Sequence, residues 1–185
     1  MITADYHMHT NFSSDSDASP ESMALGAVRK GLKQICITDH QDWDYPEDDQ
    51  QFRIDMDRYI PAIQELKEKF KDQISVGLGV EIGFQQHLGE YYQNFTASYP
   101  FDFVIGSTHV VEGRDPYNRV LFETRSDAEV YEKSFVETWE NIRIIQDFDV
   151  LGHMDYIVRY GRNQARDYNW KNYSDLIDDI LRWLI

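Results

Sequence analysis

The sequence predicts an α/β fold built on a parallel sheet, open or rolled into a barrel, and three observations carry that expectation. Five short apolar runs alternate with stretches of helical spacing along the 185 residues. No internal repeat, low-complexity tract or Gly/Ser linker divides residues 1–185, so the chain reads as one domain. Each apolar run also leads into a histidine or a glutamate. Such residues belong at the carboxyl ends of parallel strands, where both architectures place their sites.

Ile2 to His9 is strand-like and ends in two histidines one residue apart. Alternate side chains of a strand share a face, so His7 and His9 can present two imidazoles to one cation. A polar loop, Asn11 to Ala18, then carries Asp15 and Asp17. Ser19, Pro20 and Glu21 read as N-cap, first helical proline and first-turn acid, and Met23, Ala24, Ala27 and Val28 carry a helix that Gly31 stops. The second strand, Gln34 to Thr38, ends in Asp39-His40, and an acidic, aromatic loop from Gln41 to Asp49 holds Trp43 and Tyr45. The next helix runs to about Lys71 with Tyr59, Ile63, Leu66 and Phe70 on one stripe, and Pro61 starts its main part or kinks it.

The third strand, Ile74 to Val80, ends in Glu81. Leu88, Tyr91, Tyr92 and Phe95 recur at helical spacing, although Gly89 weakens that helix. Phe101 to Ile105 is the fourth strand and leads into Gly106-Ser107-Thr108-His109. Ser126 and Glu129 form a capping box opening a helix to about Gln146, with Trp139, Ile142 and Ile145 inward. Asp149-Val150-Leu151 then leads into Gly152-His153-Met154-Asp155. The final helix starts at Ser174 with Leu176, Ile177, Ile180, Leu181 and Leu184 as its apolar positions, and its end in Trp-Leu-Ile reads as a cut inside or just after a helix.

With 42% hydrophobic residues and four tryptophans the chain can bury a core, so its net charge of -15 does not signal disorder. An acidic surface repels phosphate backbones and anionic lipid, which excludes nucleic-acid and membrane-surface partners. It suits a cluster of divalent cations, since part of the negative charge then belongs to ligands counted without their metals. No apolar run approaches membrane-spanning length and no signal-peptide pattern opens the chain, so a cytoplasmic protein is expected. The single cysteine, Cys36, lies in an apolar run and reads as a buried structural thiol, and no Gly-x-Ser-x-Gly elbow offers a serine nucleophile.

Five of the six histidines follow a predicted strand: His7 and His9, then His40, His109 and His153. The third strand supplies Glu81 in the equivalent place. Parallel strands bring these six side chains to one rim, where several imidazoles and a buried carboxylate are costly unless paired or metallated. Metal binding is the expectation for the set. His87 falls inside a helical pattern and is left out of it.

The pieces His7-Met8-His9-Thr10, Asp15, Thr38-Asp39-His40, Gly79-Val80-Glu81, Gly106-Ser107-Thr108-His109 and Gly152-His153-Met154-Asp155 together resemble the PHP (polymerase and histidinol phosphatase) domains, particularly the histidinol-phosphate phosphatase branch. They run in the family's order across essentially the whole chain. The resemblance implies a distorted (β/α)7-type barrel with a trinuclear metal centre at the strand ends. By that resemblance His7, His9 and Glu81 hold one metal, Glu81 bridges to a second held by His109 and His153, and Asp15 and His40 hold a third. Asp17 is the runner-up to Asp15. Arg159 resembles the arginine that phosphatase members use for substrate phosphate, with Arg162 a second choice, and a planar guanidinium fork suits that role.

The family's last two strands supply a further glutamate and an Asp-x-His motif, and here no histidine follows His153. The chain is therefore expected to be truncated to about five βα units, leaving strand edges open to homo-oligomerisation. The function implied is metal-dependent hydrolysis of a phosphomonoester, L-histidinol phosphate, with two to three divalent ions and a metal-bridging hydroxide as nucleophile. Histidine-rich ligation with carboxylate bridges favours Zn, Mn or Fe over Mg or Ca. Asp39 and Asp155, beside ligand histidines, are expected to orient them or to give a proton to the leaving group, and Trp43 and Tyr45 to wall the organic part of the substrate. The alternatives are a PHP phosphodiesterase or 3'-5' exonuclease, which the acidic balance disfavours, and a truncated, catalytically inactive metal-binding module, which the missing Asp-x-His favours.

Overall fold

The structure is a computed structural model, in which residues 2–166 and 168–185 are described. Strands β1 (Ala4–Asp5), β2 (Gln34–Ile37), β4 (Ser75–Gly83), β5 (Phe103–Ser107) and β6 (Val150–Leu151) lie side by side in that order, and β3 (His40–Gln41) also pairs with β4. Every pairing between them is parallel. The result is a curled α/β half-barrel, in the architecture that the alternation of strands and helices predicts. β1 and β6 are its two edges.

Each helix forms where its sequence signals lie. α1 (Pro20–Lys30) starts with Ser19 Oγ accepting from Ser22 N and ends at Gly31, whose φ of 81° is cheap for glycine. α2 (Met56–Phe70) buries Tyr59, Ile63, Leu66 and Phe70, each adding roughly 1.5–3 kcal/mol of burial energy, and Pro61 lies inside it rather than at its start. α3 (Gly89–Ser98) begins at Gly89, where a Cβ would come within 2.8 Å of Ile144 Cγ2; the glycine admits a neighbour instead of weakening the helix. α4 (Asp127–Ile144) carries the expected Ser126–Glu129 capping box. α5 (Ser174–Leu184) buries Ile180, but Leu181 and Leu184 of its predicted stripe are exposed.

Two strands differ from expectation in ways that shape the site. β1 is only two residues long, because the chain leaves the sheet early: Thr38 N donates to Met8 O, and Thr10 turns in to Asp39. β4 runs on to Gly83, so that Glu81 lies inside the strand, paired with His40 of β3 on one side and Ile105 of β5 on the other. Tyr59 from α2 places its hydroxyl between the carbonyls of Ile37 (2.9 Å) and Gly79 (3.0 Å), beside the two-residue break between β2 and β3. Cys36 is buried in β2 and its thiol is pushed up to about 12 by burial, which makes it inert. Among the described residues no helix is long and apolar enough to cross a membrane.

Candidate metal centre

Glu81 is fully buried, and its carboxylate is ringed by histidines. Oε2 lies 3.0 Å from His7 Nε2, 3.3 Å from His9 Nε2 and 3.6 Å from His40 Nδ1. Oε1 lies 3.1 Å from His109 Nε2 and 3.0 Å from His153 Nε2, and accepts a 2.6 Å hydrogen bond from Ser107 Oγ. All six residues expected at one rim are therefore brought together. The last of them arrives because residue 152 is glycine: a Cβ there would meet Ser107 Oγ at 2.1 Å. Burial alone would raise the Glu81 pKa, but His109, His153 and His7 outweigh it and hold the carboxyl well below its usual range.

Asp15 joins from the loop before α1, with Oδ2 at 3.6 Å from His40 Nε2. Asp39 fastens that loop. Its carboxylate accepts from Thr10 N (2.5 Å), Thr10 Oγ1 (2.7 Å) and Ser13 Oγ (2.8 Å), while Ser13 Oγ in turn accepts from His40 N. Despite these bonds, burial leaves the Asp39 carboxyl raised above its usual value. Asp17 is exposed and outside the cavity lining.

Sequence reasoning missed Asp42. It is buried, with Oδ2 2.7 Å from His109 Nδ1 and Oδ1 3.6 Å from His40 Nδ1. A usable signal existed: Asp42 stands two residues after His40, and the strand period of two puts both on one face. Burial opposes ionisation of Asp42, but His109 and His40 bring its carboxyl down to about 2.

Donor atoms within 4.8 Å of one another form four triads: His7/His9/Glu81, Glu81/His109/His153, His9/Asp15/His40 and His40/Asp42/His109. The first two are the sets that the resemblance implies, and the third adds His9 to Asp15 and His40. The residues fit divalent cations on their own terms. Nδ1 of His9, His40 and His153 is buried without a hydrogen-bond partner among the described residues, and imidazole nitrogens mixed with carboxylate oxygens suit borderline ions. Electrostatics divide the imidazoles. Burial and the neighbouring His40 bring His9 down to about 4, whereas at His109 burial is outweighed by Asp42 and Glu81, which raise it to about 9.

These groups floor a cavity of about 580 Å³ walled by Tyr45, Phe52, Asp115, Tyr117, Tyr156, Arg159 and Tyr160. The Arg159 guanidinium lies 5.3 Å from the Tyr156 ring, at the cavity wall where phosphate binding was expected of it. Tyr45 lines the cavity, but Trp43 does not. It stacks on Tyr91 at 4.5 Å, with Arg53 3.5 Å above its ring, facing a separate cavity of about 470 Å³. Asp155 is exposed at the start of the 3-10 turn Tyr156–Tyr160, and neither it nor Asp39 lines the metal cavity. Arg162 is drawn to α4, 2.9 Å from Arg125 O and 3.4 Å from Asp127. His87 pairs with Asp44 at 2.9 Å, outside the centre as expected.

The geometry can be set beside known proteins. Residues 5–185 match the PHP domain. Over 185 residues the chain is 30% identical to the histidinol-phosphatase of Lactococcus lactis subsp. lactis (strain IL1403), covering 68% of that protein. It is 33% identical over 181 residues to a probable histidinol-phosphatase of Clostridium acetobutylicum, again covering 68% of the relative. The crystal structure of histidinol phosphate phosphatase from Lactococcus lactis, complexed with Zn, L-histidinol and phosphate, aligns with a TM-score of 0.93 at 29% identity, over 98% of this chain and 69% of that one. A Listeria monocytogenes structure at 14% identity and a TM-score of 0.80 shows the same fold. A domain match over residues 5–185, together with sequence similarity along the whole of this chain and a shared fold, means that this chain belongs to the PHP domain family.

Proposed function

We propose that this chain is a metal-dependent phosphomonoesterase whose substrate is L-histidinol phosphate. The observation that carries the reading is the buried Glu81 carboxylate with five imidazoles within 3.6 Å, at the floor of a cavity whose wall bears Arg159. The named activity of the Lactococcus lactis relative, and the Zn, L-histidinol and phosphate held in its crystal structure, support the substrate and the metal.

In this reading His7, His9 and Glu81 hold one cation, Glu81, His109 and His153 a second, and Asp15 and His40, with His9 beside them, a third. Two to three ions of Zn, Mn or Fe are proposed. Divalent cations held there supply neutralisation of phosphate charge and acidification of water. Arg159 offers its fork to the phosphate oxygens, and the aromatic wall of Tyr45, Phe52, Tyr117 and Tyr156 encloses the organic part and excludes water. The proton for the leaving alkoxide is proposed to come from within the cavity, because Asp39 and Asp155 lie outside its lining. A cytoplasmic location and self-association along the β1 and β6 edges complete the proposal, the latter supported by Ile144 and Val150, which are exposed.

The test is phosphate release from L-histidinol phosphate by the same sample before chelation, after it and after reloading, with metal content measured each time. Turnover that rises and falls with two or three bound ions is expected. A fully loaded chain that releases no phosphate would sink the phosphatase reading and leave a metal-binding module. Cleavage of single-stranded DNA in its place would favour the exonuclease.

A further inference from the structure

Asp42 turns its two oxygens towards two different ligand histidines. Oδ2 is 2.7 Å from His109 Nδ1, and Oδ1 faces His40 Nδ1 at 3.6 Å, neither of these last two atoms having a hydrogen-bond partner among the described residues. The opposite ring nitrogens face other groups: His109 Nε2 is 3.1 Å from Glu81 Oε1, and His40 Nε2 is 3.6 Å from Asp15 Oδ2. Since His40, Asp42 and His109 have the donor set of a cation site, the question is whether a metal or a proton belongs between them.

Distance decides it. Two donors on one tetrahedral zinc, each ~2.0–2.1 Å away, stand ~3.3 Å apart. The imidazole contacts to Glu81, 3.0 to 3.6 Å, bracket that spacing. The 2.7 Å contact of Asp42 with His109 is well inside it and has the length of a charge-assisted N–H···O bond. The strand beneath is shaped for this carboxylate: a Cβ at Gly83 would lie 2.5 to 2.8 Å from its three atoms.

We infer that Asp42 is a positioning residue which holds the Nδ1–H tautomer of His109 and aims its Nε2 at the Glu81 position. The inference rests on the metal-centre reading above. A carboxylate behind a ligand imidazole fixes its tautomer and ring angle, and losing it weakens metal affinity roughly 10- to 100-fold. The effect here is selective, because Asp42 touches neither His7 nor His9.

Zinc binding to wild type, Asp42→Ala, Asp42→Asn and Gly83→Ala would be followed in metal-buffered solution by metal content per chain, with circular dichroism to verify folding. Asp42→Ala is expected to weaken the position at Glu81, His109 and His153 and spare the one at His7 and His9. Asp42→Asn keeps one acceptor and should recover part of that loss, while Gly83→Ala, which displaces the carboxylate without removing it, should mimic the alanine variant in part. Wild-type affinity at every position in a folded Asp42→Ala chain would overturn the inference while leaving the metal centre intact. A wild-type chain that binds no zinc would instead remove the reading on which it rests. Should the variants fail to fold, nitrogen-15 spectra of the zinc-loaded wild type give the answer: a protonated Nδ1 and metallated Nε2 at His109 are expected, and the reverse pattern overturns it.

Discussion

Ser107 Oγ donates a 2.6 Å hydrogen bond to Oε1 of Glu81, the same oxygen that faces His109 and His153. Both residues are fully buried, so neither can turn to solvent for a substitute. Removing the hydroxyl leaves the carboxylate short of a donor in a dry site. For Ser107→Ala we expect about 1–3 kcal/mol of lost stability in chelator-treated protein, read by denaturant unfolding. Unchanged stability would show that this bond does not hold Glu81 in place.

Metal loading should release protons. His109 is raised to about 9 and His40 is raised above its usual value by Asp15, Asp42 and Glu81, so both rings hold their protons more tightly in the metal-free protein than His9, which is lowered to about 4. A cation must displace the proton of His109, so apparent affinity rises with pH and that dependence flattens above pH 9. Calorimetry in buffers of differing ionisation enthalpy counts the protons. An affinity that is flat between pH 6.5 and 9 would contradict the assignment.

Arg159 and Asp155 stand four residues apart with opposite expectations. Arg159 lines the cavity, so Arg159→Ala should raise KM for the phosphate ester roughly 10- to 100-fold, the worth of a charge-assisted hydrogen bond, and lysine should recover little of it. Asp155 is exposed and outside the cavity lining, so Asp155→Asn should change stability by no more than about 0.5 kcal/mol and leave kcat nearly intact. A large drop in kcat for Asp155→Asn would restore it as a proton donor.

Asp39 accepts three hydrogen bonds from Thr10 and Ser13, and its effect on the centre passes through the loop that carries Asp15. Asp39→Asn would set an amide group against those donors. The expected outcome is a loss of the cation held at Asp15 and His40 with the Glu81 positions retained, measured as metal content per chain. Full metal content would show that the loop holds its shape without the carboxylate.

The histidines were legible because a parallel sheet converts sequence position into place: a residue just past a strand lies on the rim whatever its distance along the chain. Helix ends were legible for a local reason, since Ser19, Gly31 and the Ser126–Glu129 pair act within a few residues of themselves. Asp42 was overlooked although its spacing from His40 offered a signal, because β3 resumes the pairing of β2 on β4 after a two-residue break, and only the partner strand shows that the chain re-enters the sheet at His40–Gln41, just before Asp42. Trp43 and Tyr45 could not be sorted for a related reason. Asp44 between them takes a positive φ of 56°, which ends the alternation of faces, and one ring enters the cavity while the other leaves it. Asp155 stands outside the cavity lining because a 3-10 turn starts directly after it and carries Tyr156, Arg159 and Tyr160 to the cavity.

The ring of imidazoles around Glu81 draws on residues from His7 to His153, which gives the centre a place in time as well as in space. During synthesis His7, His9 and His40 emerge long before their shared carboxylate, and His153 emerges last. Closing such distant segments on one another is the slow part of folding a parallel sheet. Cations retained at both ends of the ring, one at His7 and His9 and one at His153, therefore report that the two edge strands have reached their places, and tight metal retention becomes a measure of how much of a chain population has finished folding.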